Sequence, residues 1–219
     1  MQIAIDGPAG AGKSTVAKKL AQVLNCQYID TGAMYRAVVV LANQAQINLE
    51  QKEKIEALSQ DIEFLFYNQG ESQRLSINGI DMTEVIRHPT VSEKVSLIAA
   101  YPGVRASLVA KQQAMAIRQD VVMEGRDIGE VVLPKADFKF FVTASIEVRA
   151  KRRADELTQK GMTVNIDQIR QNIFIRDQND CNRTEGALKQ LPDAIYVDTS
   201  DKTVDAVVAE ISAIIRRVK

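Results

Sequence analysis

The chain has few of the residues that secreted, metal-binding or membrane-spanning proteins use in quantity. Its 219 residues include two cysteines, one histidine and no tryptophan. Cys26 and Cys181 lie far apart and outside any metal-ligand spacing, which fits a reducing cytoplasm as the compartment. No apolar run reaches the roughly 18 residues of a membrane span, so no membrane association is expected. Because the first apolar strand begins almost at Met1, we also expect no signal peptide.

An excess of charge of either sign is also missing. Lys and Arg together number 28 and Asp and Glu also number 28, so the formal net charge is zero. Proteins that bind nucleic acid usually carry a basic surplus, and this balance argues against that role. The only histidine, His88, precedes Pro89 and is expected at the surface rather than in catalysis. With 46% hydrophobic residues the chain can bury one large core.

The most informative segment that is present is a glycine-rich loop near the start. The loop follows the apolar run Ile3–Ile5 and precedes a stretch with the apolar spacing of a helix. Its residues are Gly7, Pro8, Ala9, Gly10, Ala11, Gly12, Lys13, Ser14 and Thr15. This order of strand, loop and helix is typical of a phosphate-binding loop (P-loop). Lys13 can reach the outer phosphates of a nucleoside triphosphate, and the Ser14 hydroxyl can ligate Mg²⁺. The alternative is a glycine-rich turn that contains Lys-Ser by chance.

Four further short apolar segments predict buried parallel strands. They occupy residues 27–29, 121–123, 138–142 and 194–197, and stretches with helical periodicity separate them. The sequence therefore predicts an α/β fold, with a five-stranded parallel P-loop sheet and helices on both faces. Ligands of such sheets bind at the carboxyl edge of the strands.

One region breaks this alternation of strands and helices. Residues 61–82 alternate apolar and polar side chains around two turn signals, Asn68-Gln69-Gly70 and Asn78-Gly79. Asn-Gly between alternating runs is a strong hairpin signal. We expect a small antiparallel meander here, within an accessory lobe and outside the main sheet.

Charged residues follow the predicted strands at the carboxyl edge of the sheet. Arg36 lies one turn into the helix after Asp30 and Thr31, and Glu124, Arg126 and Asp127 follow the third strand. Beside a triphosphate, Glu124 is a candidate to hold Mg²⁺ through water, Arg126 a phosphate clamp and Asp127 a polar recogniser. A helix cap, an exposed arginine and a salt bridge within a turn are the alternatives.

Two helical faces add more charge near the same edge. Arg149, Arg152 and Arg153 share one face, and Arg176, Asp180 and Arg183 share another. An anion between like charges would convert their repulsion into charge-assisted hydrogen bonds, so the first group favours a closing lid. Solvated basic residues and plain ion pairs are the alternatives. The signatures Asp-x-x-Gly and Asn-Lys-x-Asp of translation-factor and Ras-like switches do not occur.

Together these motifs resemble the bacterial cytidylate kinase family, one of the P-loop nucleoside monophosphate kinases. The matching stretches are GPAGAGKST at 7–15, DTGAMYR at 30–36, YPGVR at 101–105, EGRDIG at 124–129 and RDQNDCNR at 176–183. The resemblance implies transfer of the γ-phosphoryl group of ATP, with Mg²⁺, to CMP or dCMP. It also implies one kinase domain with a core at 1–30 and 105–219, an acceptor-binding lobe at about 31–104 and a lid at about 146–165. We expect a cytoplasmic monomer whose partners are small nucleotides.

The resemblance also implies a role for each matching residue. The cations around the transferred phosphoryl group would be Lys13, Arg126, Arg153 and Arg176. Acceptor contacts would come from Thr31, Arg36 and Arg126 at the phosphate, Ser96, Arg105 and Asp127 at the cytosine, and Asp180 and Arg183 at the sugar. Metal contacts fall to Ser14 and Glu124. Glu130 departs from the family, which commonly has Thr there, so the contacts of that loop are open.

Two other functions remain open from the sequence. One is a different small-molecule kinase on the same scaffold, such as a UMP/CMP kinase or an adenylate kinase. The other is a nucleotide-dependent switch that hydrolyses slowly and signals to a partner protein.

Overall fold

A computed structural model describes residues 1–69, 72–159 and 161–218. The chain divides into two units, of which the first comprises residues 1–27 and 119–219 and the second residues 28–118. The strands are β1 Gln2–Asp6, β2 Gln27–Asp30, β3 Phe64–Gln69, β4 Ser72–Ile77, β5 Ile80–Asp81, β6 Val121–Gly125, β7 Phe138–Thr143 and β8 Ile195–Asp198. The α-helices are α1 Lys13–Leu24, α2 Thr31–Gln44, α3 Lys52–Gln60, α4 Pro89–Ile98, α5 Pro102–Arg118, α6 Ile146–Gln159, α7 Ile166–Cys181 and α8 Val204–Val218.

The main sheet has five strands in the order β2-β6-β1-β7-β8. Strand β1 pairs in parallel with β6 and with β7, and β7 pairs in parallel with β8. Ile3, Ile5 and Phe140 are almost completely buried, as expected for strands that are covered on both faces. The α/β prediction and all five predicted strands are confirmed.

The register brings the carboxyl ends of the strands of the first unit together. Asp6 pairs with Gly125 of β6, and Thr143 pairs with Asp198 of β8. The segments that follow these ends are the P-loop, a π-helical turn at Ile128–Val132 and the start of α6. Charged side chains after β1 and β6 are therefore neighbours, because adjacent parallel strands end at the same edge.

Helix α8 shows why the helices pack as they do. Val207, Val208, Ile211 and Ile215 recur at helical spacing and are buried, and α8 packs against α1. Helix α6 packs against α7 in the same unit.

The second unit contains the predicted meander as a separate three-stranded antiparallel sheet, β3-β4-β5. Asn78 and Gly79 both adopt positive φ, at 51° and 80°, which is the conformation that a two-residue hairpin turn of type I′ requires. The other turn signal is shifted, because Asn68 and Gln69 belong to β3 and pair with Gln73 and Ser72. Gly70 lies outside the described residues.

Helix α2 is buried on almost every side within the second unit. Its residues Ala37, Val38 and Val39 have no exposed surface, and they belong to one apolar cluster with residues of α4, α5 and the meander. A helix that is apolar all round is buried either in a protein core or in a membrane, and burial of α2 in the core accounts for the longest apolar run of the chain. No helix of the described residues is long and apolar enough to cross a membrane.

Candidate active site

The P-loop lies directly against strand β7. A Cβ on Gly7 would lie only 1.9 Å from the carbonyl oxygen of Val142, so no larger residue fits there. Gly12 adopts the left-handed conformation, with φ of 85°, and caps α1. The helix therefore begins at Lys13, with its first turn and the positive end of its dipole at the loop.

Lys13 is almost completely buried, with 5% of its surface exposed. Its side chain folds back over the loop, where Nζ donates to the carbonyl oxygen of Pro8 at 2.8 Å. The pKa of Lys13 is lowered to about 7, chiefly by burial and also by the positive charges of Arg126 and Arg176, while Glu124 and Asp6 act to raise it. A bound polyanion would relieve this crowding of positive charge.

Arg126 and Arg183 hold a buried carboxylate between them. Asp180 is 1% exposed and accepts from Arg126 Nε at 2.7 Å and from Arg183 Nη2 at 2.5 Å. Burial acts to raise the pKa of Asp180, but the charges of Arg126 and Arg183 hold it below its usual value. Burial acts to lower the pKa of Arg126, but the charge and hydrogen bond of Asp180 and the charges of Glu124 and Asp177 together raise it. The structure thus brings together two arginines and an aspartate that the sequence analysis singled out.

A second acidic group lies where β1 and β6 end. Asp6 accepts from the backbone amides of Ile128 and Gly129, both at 2.8 Å, while Asp127 and Glu124 are buried nearby in the same unit. The pKa of Asp6 is raised to about 6, with burial as the largest cause; the two hydrogen bonds from backbone amides act to lower it, and the charge of Asp127 acts to raise it.

Two arginines of α6 hold the P-loop backbone. Arg149 Nη1 donates to the carbonyl oxygen of Ala9 at 3.0 Å and to Asp177 Oδ2 at 2.6 Å. Arg152 donates to the hydroxyl and carbonyl oxygens of Thr199, and that hydroxyl in turn donates to the carbonyl oxygen of Ala11 at 3.1 Å.

Arg153 is the arginine of α6 with an expected catalytic role, and its contacts differ from those of Arg149 and Arg152. Its guanidinium pairs with Glu156 on the same helix at 2.7 Å, and its side chain is 35% exposed. The ion pair with Glu156 is the alternative that the sequence analysis left open, and the catalytic role stays a prediction.

The second unit carries the other predicted acceptor residues. Asp30 caps α2 by accepting from the Ala33 amide at 3.0 Å, and its other oxygen accepts from Arg36 Nη2 at 2.6 Å. Nε of Arg36 is buried and has no hydrogen-bond partner among the described residues. Thr31, the first residue of α2, is buried. Arg36 therefore keeps a donor for a further acceptor.

Ser96 and Arg105 lie on two helices of the second unit. Ser96 is partly exposed on α4, which packs against α2. Arg105 is buried in the first turn of α5, where its amide donates to the carbonyl oxygen of Tyr101 at 3.0 Å.

The two predicted metal-binding residues differ in exposure. Ser14 is exposed in the first turn of α1, whereas Glu124 is buried at the end of β6. Within the described ranges, no three His, Cys, Asp or Glu side chains are arranged to hold a metal ion. Mg²⁺ in nucleotide enzymes usually takes one or two protein ligands besides phosphates and water, so a hydroxyl and a carboxylate fit that ion.

The unusual Glu130 has a definite partner. It lies in the π-helical turn and pairs with Lys189 at 2.5 Å, with both side chains partly exposed. This ion pair connects the turn after β6 to the segment that precedes β8.

Sequence reasoning missed three residues that hold this region together: Asp6, Asp177 and Thr199. Asp6 and Thr199 stand at the carboxyl ends of β1 and β8. The rule that drew attention to Glu124, applied to every strand end, would have found both. Asp177 directly follows Arg176 in the sequence, but its structural role is evident only from its contact with Arg149.

Comparison with known proteins identifies the family of the chain. The family model for cytidylate kinase matches residues 3–217. A cytidylate kinase from Caldanaerobacter subterraneus subsp. tengcongensis is 46% identical over 217 residues, which are 99% of this chain and 95% of that protein. A cytidylate kinase from Desulforamulus reducens is 50% identical over 210 residues, which are 95% of this chain and 94% of the relative.

A solved structure shows the same fold. An uncharacterised protein from Eubacterium ventriosum has a TM-score of 0.57 at 13% identity, over 99% of this chain and 98% of its own, which supports the fold alone. The family model and the two close relatives confirm the resemblance that the motifs indicated. This chain is an enzyme of the cytidylate kinase family.

Proposed function

We propose that the chain transfers the γ-phosphoryl group of ATP, bound as its Mg²⁺ complex, to CMP or dCMP, giving ADP and CDP or dCDP. The observation that carries the proposal is the charge around Lys13. A buried lysine has its pKa lowered to about 7, and Arg126 and Arg176 contribute to that shift. The lowered pKa means that a charged Lys13 is destabilised in the free protein, and added negative charge would relieve this, so the arrangement suits a site for phosphate groups.

In this proposal the P-loop and Lys13 bind the phosphates of ATP. The loop amides and the start of α1 supply partial positive charge, and Lys13 supplies a full one. Ser14 and Glu124 would hold Mg²⁺, which neutralises charge on the β- and γ-phosphates when it is bound. The buried lysine regains its full charge when the polyanion is present, because opposite charge raises its pKa.

The acceptor would be bound by the remaining predicted residues. Arg36 and Thr31 suit its phosphate, since Arg36 is partly buried and holds an unused donor. Asp180 and Arg183 suit the sugar hydroxyls, while Ser96, Arg105 and Asp127 suit the edge of the cytosine ring. Arg105 and Asp127 are buried, and buried polar groups reject a wrong base strongly because they are then left unpaired.

Catalysis needs no covalent intermediate in this account. Two polyanions repel each other, so the protein must align donor and acceptor, which can remove about 7–11 kcal/mol from the barrier. Lys13, Arg126, Arg153 and Arg176 would then stabilise the charge that spreads over the transferring phosphoryl oxygens. A lid at about 146–165 would exclude water, which competes with CMP as the acceptor.

The direct test supplies ATP and Mg²⁺ with CMP, dCMP, UMP, AMP or GMP in turn and identifies the diphosphate by chromatography. We expect CDP and dCDP to accumulate much faster than any other product. Accumulation of UDP at the same rate would favour a UMP/CMP kinase. Formation of ADP and phosphate at the same slow rate with every monophosphate would instead favour a nucleotide-dependent switch.

Replacing Arg36 by alanine should weaken acceptor use while ATP binding survives. The substitution removes a guanidinium with a buried, unused donor, which we expect to raise KM for CMP about 10- to 100-fold, the effect of losing a charge-assisted hydrogen bond. Initial rates at varied CMP and at varied ATP separate the two constants.

The matched control is Arg74→Ala, since Arg74 also pairs with an aspartate of the second unit, Asp81, at 2.8 Å. It should leave both constants unchanged. Equal losses for CMP and ATP in Arg36→Ala would count against its assignment to the acceptor.

Replacing Asp127 by alanine should relax the preference for cytosine. The buried carboxylate would no longer accept from the exocyclic amine, so kcat/KM for CMP falls toward the value for UMP by about tenfold or more. The measurement is the ratio of kcat/KM for the two monophosphates, and an unchanged ratio would refute the role of Asp127 in base recognition.

We also propose that the enzyme is a cytoplasmic monomer that binds neither nucleic acid nor membranes. Light scattering of the purified protein at several concentrations tests the monomer, because a mass near twice 24.2 kDa would contradict it.

A further inference from the structure

We propose that Asp6 is a positioning residue for the acceptor base. Both of its carboxylate oxygens hold the turn after β6, and this contact sets the position of Asp127. The proposal rests on the function proposed above, in which Asp127 recognises cytosine.

The contact is specific and lies wholly within the first unit. Oδ1 of Asp6 accepts from the amide of Ile128, and Oδ2 accepts from the amide of Gly129, each at 2.8 Å. These are the first two amides of the π-helical turn Ile128–Val132, and the first amides of a helix have no partner within the helix itself. Asp127 stands at the cap position of this turn, but its side chain makes no capping hydrogen bond. Asp6, from a different strand, therefore takes the place of the cap.

This arrangement fixes the backbone directly after Asp127. An aspartate at a cap position normally accepts from the amides that follow it. Here Asp6 occupies those amides, and Asp127 is 8% exposed with its carboxylate close enough to raise the pKa of Asp6. Asp6 therefore sets the course of the backbone from which the side chain of Asp127 extends.

A carboxylate is needed at position 6 because both oxygens are in use. Asparagine has the same shape but offers one oxygen and one NH₂ group, so it can accept from only one of the two amides. The other amide would face a donor and lose its bond. The turn would then lose one of its two anchors to β1 while the sheet stayed intact.

Asp6 lies between charged groups, and its carboxylate is costly to bury. Its pKa is raised to about 6, with burial as the largest cause, the charge of Asp127 acting in the same direction and Lys13 acting against it. Lys139 of β7 also reaches this turn, since a Cβ on Gly129 would lie 3.1 Å from its Cδ. If the carboxylate of Asp6 had no anchoring role, an uncharged residue could replace it without loss of base preference. If it anchors the recognition loop, the same replacement lowers that preference.

The test is Asp6→Asn, with the ratio of kcat/KM for CMP to that for UMP as the readout. We expect this ratio to fall about tenfold, the equivalent of one hydrogen bond to a charged group. A substitution that only weakened the fold would lower both rates together and leave the ratio unchanged. The matched control is Asp137→Asn, because Asp137 accepts from the Gln2 amide at 2.6 Å at the other end of β1. It should leave the ratio at the wild-type value.

A double-mutant cycle with Asp127→Ala separates this proposal from the proposed function. If Asp6 acts through Asp127, then Asp6→Asn changes the ratio in the wild type but not in the Asp127→Ala background. An additional loss in that background would overturn the proposal. If Asp127→Ala alone leaves the ratio unchanged, the assigned role of Asp127 fails instead. Without any CDP from the wild type, the proposed function itself fails.

A second readout tests the buried charge without using activity. The pKa of Asp6 is about 6 in the native state, whereas its ordinary value is 3.8. Between these two pH values the carboxyl group is therefore protonated in the native state and ionised in the unfolded state. The stability of the wild type relative to Asp6→Asn must therefore fall as pH rises from about 4 to 7, by roughly 100-fold in the folding equilibrium constant. Denaturant unfolding of both variants measures this difference. If the difference in stability between the two proteins does not change with pH, Asp6 is not a buried carboxylate with a raised pKa.

Discussion

Replacing Lys13 by methionine should lower kcat for CMP phosphorylation by about 10²–10³-fold, the cost of removing one preorganised group from a developing negative charge. Methionine keeps the length and apolar contacts of the lysine stem and removes only its charge. Since burial already lowers the pKa of Lys13 to about 7, the ammonium group is costly in the free enzyme. The variant should therefore be as stable as the wild type or more stable, while it is almost inactive.

The combination of lost activity and retained stability distinguishes a phosphate-binding lysine from a structural one. Lys19→Met is the matched control, because Lys19 lies on the same helix and pairs with Asp205 at the surface. An exposed pair contributes about 0–1 kcal/mol, so this control should retain full activity. Thermal unfolding and initial rates of both variants complete the test. A Lys13→Met enzyme with ordinary kcat would remove the main support for the proposed donor site.

Replacing Arg126 by methionine should have the second large effect, and it should affect stability as well as activity. Asp180 is almost completely buried, and it would lose its hydrogen bond from Arg126 while it keeps the one from Arg183. Removing one partner of a buried ion pair costs about 3–5 kcal/mol, because a buried charge loses its compensation. Loss of a cation near the transferring phosphoryl group should also lower kcat about 10²-fold or more.

A second substitution separates these two effects of Arg126. In the Arg126→Met background, Asp180→Asn removes the uncompensated charge and should restore part of the stability but none of the activity. Arg170→Met serves as the control on α7, since Arg170 pairs with Asp167 at the surface at 3.2 Å. If Arg126→Met were fully stable and only slightly slower, neither role of Arg126 would hold.

Much of the architecture could be predicted from the sequence because its signals are local. The P-loop, the five strands and the turn at Asn78-Gly79 each depend on a few consecutive residues whose backbone preferences agree with the fold. The same holds for Arg126 and Asp180, which the strand-end rule and helical spacing marked as candidates before their ion pair was known.

Contacts across long stretches of chain could not be predicted in this way. Arg149 reaches Ala9 over 140 residues, and Thr199 reaches Ala11 over 188. Three arginines on one helical face look alike in the sequence, yet in the structure Arg149 and Arg152 hold the P-loop while Arg153 pairs with Glu156. The position of Asp6 at a strand end marks it as a candidate, but nothing around it in the sequence indicates that Ile128 and Gly129 lie against it.

The most direct test of the central claim follows the γ-phosphorus of ATP. The enzyme is incubated with Mg²⁺, CMP and ATP labelled in the γ-phosphoryl group, and the labelled products are separated at early times. The account predicts that the label moves into CDP in step with the formation of ADP, and that it requires CMP. Label that is found in inorganic phosphate instead, at a rate that does not depend on CMP, would contradict phosphoryl transfer between two nucleotides.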